Sequence, residues 1–157
     1  MSKISPKSAA FKMKNLTDQD QVYLGLDVHK YSIAVAIWRH DQVVKTFTTS
    51  ADPAALTAQL LPLPKALRLI VYEAGPTGYG LARFLIKAHL PVQVVSPAHT
   101  PRPAQRQNKT DRLDGRQLAQ YAAKGLLRPL RIPTELEEAD RQLVRLRDQL
   151  VVQRRTE

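Results

Sequence analysis

The sequence predicts a mixed α/β domain: three antiparallel strands continued by parallel strands, with helices packed on the sheet. Three observations predict it. Two apolar, β-rich runs, 23–27 and 31–38, flank the short polar break Val28-His29-Lys30, and a third run follows at 42–49 after the tight turn Arg39-His40-Asp41. Strands joined by turns this short pair antiparallel. Further on, a strand–helix–strand pattern over 67–95 implies a parallel pairing. With 157 residues, 43% of them hydrophobic, the chain has about one domain's worth of core.

Taken in order, residues 1–20 read as a flexible basic tail carrying Lys3, Lys7, Lys12 and Lys14. After the three strands, Asp52-Pro53 opens a short helix over 54–61, with Asp52 as N-cap and Pro53 at the first helical position. Pro62-Leu63-Pro64 ends it. Residues 67–72 form a compact apolar strand closed by Glu73. The turn Ala74-Gly75-Pro76-Thr77-Gly78 leads into a helix over 79–89 with Leu81, Phe84, Leu85 and Ala88 on one face. Residues 91–95 are a fifth strand, stopped by Ser96-Pro97. A proline-marked loop, 96–109, carries Arg102, Arg106 and Lys109. Thr110 is a good N-cap for a helix through about Lys124, and Gly125 a good stop. A basic connector, 126–133, precedes a last helix from Glu135. There Leu136, Ala139, Leu143, Leu146 and Leu150 step by three and four, the spacing of a coiled-coil seam.

The net charge is +10, which favours a polyanionic partner, nucleic acid first. The chain has no cysteine, so disulfides and thiolate metal sites are excluded. That fits a reducing cytoplasm. No apolar run approaches the roughly 20 residues of a membrane span, and the N-terminus lacks the apolar core of a secretory signal. A membrane partner is therefore not expected.

Only 14 residues are acidic, so their placement is informative. Asp27 ends the first strand and Glu73 the fourth. In a mixed sheet of this order the two strands can lie side by side, with both carboxylates at the rim where such sheets bind ligands. Asp111 and Asp114 fall three apart at the start of the predicted helix and share a face there. If that helix packs beside the first strand, four acids converge. Four adjacent carboxylates cannot all ionise unaided. Magnesium, with its preference for hard oxygen ligands, resolves the repulsion, and manganese can replace it. Two such ions can clamp a phosphoryl displacement. Each acid also has a plainer reading: Asp27 and Glu73 as turn residues, Asp111 and Asp114 as acids favoured by a helix N-terminus.

Three blocks resemble a known family. Gly25-Leu26-Asp27-Val28-His29-Lys30, then Glu73-Ala74-Gly75-Pro76-Thr77-Gly78-Tyr79, then Lys109-Thr110-Asp111-Arg112-Leu113-Asp114 are similar, in order, to the N-terminal domain of DEDD-type, RuvC-like insertion-sequence transposases, the recombinases guided by a bridge RNA. The resemblance covers roughly 21–133. It implies a ribonuclease-H-like fold, Asp27, Glu73, Asp111 and Asp114 as a magnesium-binding catalytic quartet, and a coiled-coil segment over 134–157. It implies DNA and a guide RNA as partners and a homo-oligomer through the last helix. In the family a C-terminal domain supplies a serine that attacks DNA. No serine here matches it, so that domain is expected to be missing from this sequence. Gly115 stands where the family more often has alanine.

Lys30, Arg102, Arg106, Lys109, Arg112 and Arg116 are candidate contacts to nucleic-acid phosphates. For the three that flank the acids, Lys109, Arg112 and Arg116, the alternative is simple charge neutralisation on a helix. His29 can orient a carboxylate or a phosphate, or face solvent. The functional reading is the metal-dependent catalytic domain of a DNA transposase or recombinase. Two alternatives stay open: a stand-alone nuclease acting on branched DNA junctions, and a non-catalytic nucleic-acid-binding and dimerisation fragment.

Overall fold

A computed structural model describes residues 13–17, 19–63, 65–101 and 113–156. The expected sheet is present. β1 (Val22–Val28), β2 (Ser32–Arg39) and β3 (Gln42–Ser50) are followed by α1 (Pro53–Leu60), β4 (Leu67–Glu73), α2 (Gly80–Lys87), β5 (Val92–Val95), α3 (Gly115–Ala123) and α4 (Glu135–Thr156). The five strands lie in the order β3-β2-β1-β4-β5. β1 pairs antiparallel with β2 and β2 with β3, whereas β1–β4 and β4–β5 are parallel. This is a ribonuclease-H-like arrangement with β1 at its centre. The two-residue turn His40-Asp41 has positive φ at both positions, the backbone twist that matches a tight hairpin.

Alternation along the strands divides the sheet into two unequal faces. One carries Leu24, Leu26, Val28, Ile33, Val35, Ile37, Ile70, Tyr72 and Val94, packed with Leu56 and Leu60 of α1 and Ala82 and Leu85 of α2. The other is smaller. Val71 and Val95 meet Leu113, Leu118 and Ala122 of the α3 segment there. Gly25 and Asp27 of β1 lie on this second face, because α3 sits directly on Gly25.

That seat depends on two glycines. A Cβ on Gly25 would fall 1.8 Å from the Gly115 carbonyl oxygen, and a Cβ on Gly115 would fall 2.6 Å from the Gly25 oxygen. Backbone meets backbone, which only residues without a side chain allow. Gly115 thus has a packing reason to stand at the start of α3.

Several local expectations change. α3 begins at Gly115, with Asp114 and not Thr110 as its N-cap. The Asp114 carboxylate accepts from the Gln117 amide at 3.0 Å, and the Gln117 side-chain oxygen accepts from the Asp114 amide at 3.4 Å. This reciprocal cap starts the helix four residues late. Asp114 therefore precedes the helix, and Asp111, expected to share a helical face with it, lies outside the described residues. In α2 the buried pair is Ala82 and Leu85, while Phe84 is exposed. The expected tail also differs from Met13 onward. Residues Met13–Asn15 form a 3-10 turn, and Met13 and Leu16 pack against the core. Asp20 accepts from the amide and hydroxyl of Thr17, bonds that hold its carboxyl below the usual range.

The last helix forms as expected from Glu135, capped by Thr134. The Thr134 hydroxyl accepts from the Glu137 amide at 3.2 Å, and the Glu137 carboxylate accepts from the Thr134 amide at 2.9 Å. Leu136, Leu143, Leu146 and Leu150 are exposed along it. Among the described residues, no helix is long and apolar enough to cross a membrane.

The Gly25–Gly115 contact makes a contrast measurable by urea denaturation. Gly25→Ala should lower the unfolding free energy by about 3 kcal/mol or more, the upper range for overpacking a site that cannot give. Gly80→Ala, where a Cβ meets nothing within 4 Å, should leave it unchanged or raise it by up to about 1 kcal/mol.

Candidate functional site

The parallel register pairs Leu26 with Tyr72, so one step on, Asp27 and Glu73 follow each other on neighbouring strands. Glu73 lies two residues beyond Val71, and Asp27 two beyond Gly25, so both acids belong to the face that α3 covers. Glu73 is 2% exposed. A carboxylate this deep requires compensation by protein partners or bound cations.

The Gly25–Gly115 contact brings in the third acid, since Asp114 immediately precedes Gly115. Asp27 and Asp114 line one cavity of about 440 Å³, with Ala34, Thr46, Thr48 and Arg116 among its walls. Its floor follows from strand pairing. Asp27, Ala34 and Thr48 form one cross-strand row, and Gly25, Ala36 and Thr46 the next. The small residues of β1 and β2 leave the space, and the threonines edge it.

Each of these two aspartates commits one oxygen locally. Asp27 Oδ2 lies 3.0 Å from Nε2 of His29, whose side chain is also 54% exposed to solvent. Asp114 Oδ1 takes the Gln117 amide. Among the described residues, the other oxygen of each remains for a ligand. Hard carboxylate oxygens of this kind suit a magnesium-like cation. Among the described residues, however, no group of three or more His, Cys, Asp or Glu side chains is gathered closely enough to hold a metal. The described part of the site is a pair of aspartates in one cavity, with a buried glutamate on the adjoining strand.

Of the expected basic contacts, Arg116 lines the cavity. Lys30 is exposed in the β1–β2 turn, with its ammonium 5.1 Å from the centre of the Tyr31 ring. Arg102, Arg106, Lys109 and Arg112 lie, like Asp111, outside the described residues.

Residues around the glutamate strand were not legible as a unit. The Tyr72 hydroxyl accepts from the Ala82 amide at 3.1 Å, satisfying a first-turn donor of α2. Glu138 of α4 accepts from the Tyr79 amide at 3.3 Å and pairs with Arg83 at 2.6 Å. Arg83 also donates to the Pro133 carbonyl at 2.7 Å. Gly78, with φ +74°, makes room: a Cβ there would fall 2.4 Å from the Glu138 carboxylate. The turn after Glu73 is thus locked to the base of α4.

Comparison with known proteins gives concordant results. The family model DEDD_Tnp_IS110, described as "Transposase", matches residues 24–157. The chain is 32% identical over 146 residues to "Putative transposase y4qE" of Sinorhizobium fredii (strain NBRC 101917 / NGR234), covering 90% of this chain and 37% of that protein. It is also 32% identical over 142 residues to "Transposase for insertion sequence element IS1533" of Leptospira borgpetersenii, covering 83% of this chain and 39% of that protein. The chain therefore spans less than two-fifths of the length of these curated relatives.

Burial pushes the Tyr72 phenol up from 10.0 to about 12. The unfolded chain then releases this proton before the folded one does, so stability falls as pH rises between those values. Urea titrations at stepped alkaline pH should show this loss, on the order of 2 kcal/mol. Tyr72→Phe should flatten it while weakening the protein at neutral pH through the lost Ala82 bond. An equal alkaline loss in the variant would contradict the assignment.

Proposed function

The chain belongs to the DEDD_Tnp_IS110 transposase family, and from that premise we propose that it is the metal-dependent catalytic domain of a DNA transposase. The observation that carries this reading is the shared cavity of Asp27 and Asp114, with buried Glu73 one register step away on the same face of the sheet. Asp27, Glu73 and Asp114 would hold a divalent cation, magnesium or manganese, with Asp111 as the fourth acid of the quartet. Such an ion, when bound, neutralises and polarises the scissile phosphate. The chain's own groups do the rest. Asp27 is oriented by His29, Asp114 by its cap on α3, and Glu73 by its place at the end of a buried strand. Arg116 and the threonines of β3 would border the DNA backbone beside the acids, and Lys30 would meet it past the end of β1. The attacking hydroxyl would come from a serine on a second domain, and a guide RNA would select the DNA.

In this reading 21–133 is the catalytic domain and 134–157 the start of a dimerisation helix. The exposed leucines of α4 would pair two copies. Sedimentation velocity should then show an oligomer that Leu143→Glu with Leu146→Glu converts to monomer. A wild-type chain that is already monomeric at high concentration would contradict the pairing.

The metal reading is tested by following manganese with electron paramagnetic resonance, in the presence of a short DNA duplex. Asp27→Asn and Glu73→Gln should each weaken manganese binding by roughly tenfold or more, with unchanged circular dichroism. Manganese affinity equal to wild type in both variants would overturn it.

A further inference from the structure

Beyond the Arg83–Glu138 lock, one face of α4 overhangs the turn that follows Glu73. Positions 138, 141, 142 and 145 recur at the spacing of a single helical face. Glu138, Arg141 and Arg145 lie off the leucine seam, and Gln142 flanks it. Between this face and the turn lies a cavity of about 330 Å³, lined by Gly75, Gly78, Tyr79, Arg141, Gln142 and Arg145, among others.

Its chemistry selects an anion. Glu138 also lines the cavity, but its charge is matched by Arg83 at 2.6 Å. Arg141 and Arg145 are exposed, and among the described residues neither has a salt-bridge partner within 4.0 Å. Guanidinium forks match the oxygens of a phosphate, and the Gln142 amide adds a neutral donor. Opposite them the turn offers glycine backbone, so a ligand can approach closely. The turn is the direct continuation of the strand that ends in Glu73.

We propose that this cavity is a second phosphate seat, in which Arg141, Gln142 and Arg145 grip the backbone of a nucleic-acid strand that passes the acidic site. The proposal rests on the reading of the chain as a nucleic-acid-binding transposase domain, and it adds a site on α4 that the acid quartet does not include. The phosphodiester belongs to DNA or to RNA, and the grip is the same for either.

Fluorescence anisotropy of the full chain, with a labelled single-stranded DNA and the RNA of the same sequence, tests it. Arg141→Gln with Arg145→Gln should weaken binding roughly tenfold and lower the salt slope by about 1 to 2. Arg147→Gln with Arg154→Gln removes the same charge from α4 away from this cavity and should have a clearly smaller effect. A loss confined to one probe identifies the strand held. If both double variants weaken binding equally, or neither does, the seat is overturned while the transposase reading stands. If the wild-type chain binds neither probe, the proposal that this chain holds a nucleic-acid strand falls and the seat with it, while its family membership is untouched.

Discussion

The contact between Gly25 and Gly115 is the constraint on which the rest depends. Two backbones meet where no side chain fits, and this fixes both the distance and the rotation of α3 on β1. Asp27 lies two residues beyond one glycine, and Asp114 immediately before the other. A helix held a few ångströms further away by ordinary side chains would pull the aspartates apart. Their shared cavity is therefore a consequence of packing, as much as of the acids themselves. The cap formed by Asp114 and Gln117 adds to it by starting the helix at the point of contact.

The two faces of the sheet divide the work. The large apolar face, closed by α1 and α2, supplies most of the burial that stabilises the fold. The smaller face is thin in side-chain volume, with Gly25, Ala34 and Ala36 along its centre. It tolerates a cavity because its neighbour carries the core. Asp27 and Glu73 sit on this face at the carboxyl ends of adjacent strands, where parallel sheets present ligand sites. The chain's net charge of +10 favours polyanionic partners. Among the described residues, the two aspartates share their cavity with one basic side chain, Arg116.

How much of this was readable from residues alone follows the range of the interactions. Turn lengths set the antiparallel pairings of β1, β2 and β3, but the pairing of β1 with β4 spans more of the chain, so the side-by-side placement of Asp27 and Glu73 was legible only as one arrangement the sheet allows. The Asp52 cap on α1 was legible because it is local: its carboxylate accepts from Ala54, two residues away. The start of α3 was not. Thr110 and Asp114 are both competent caps, and the structure takes the one whose next residue can meet Gly25. In α2 a helical period admitted more than one buried face. Ala82 is packed into the core, and its amide donates to the Tyr72 hydroxyl, a partner ten residues back. The Arg83–Glu138 lock joins segments far apart in sequence and had no local signature. Gly78 was visible as a turn glycine, but its second duty, making room for Glu138, was not.

Under the proposed function, Asp27, Glu73 and Asp114 act together on a divalent ion at a phosphate. The most direct measurement is anomalous diffraction from crystals of the chain grown with nucleic acid and soaked in manganese. An anomalous peak is expected within coordination distance of Asp27 and Asp114, on the α3 side of Glu73. Well-ordered carboxylates with no peak among them would contradict it.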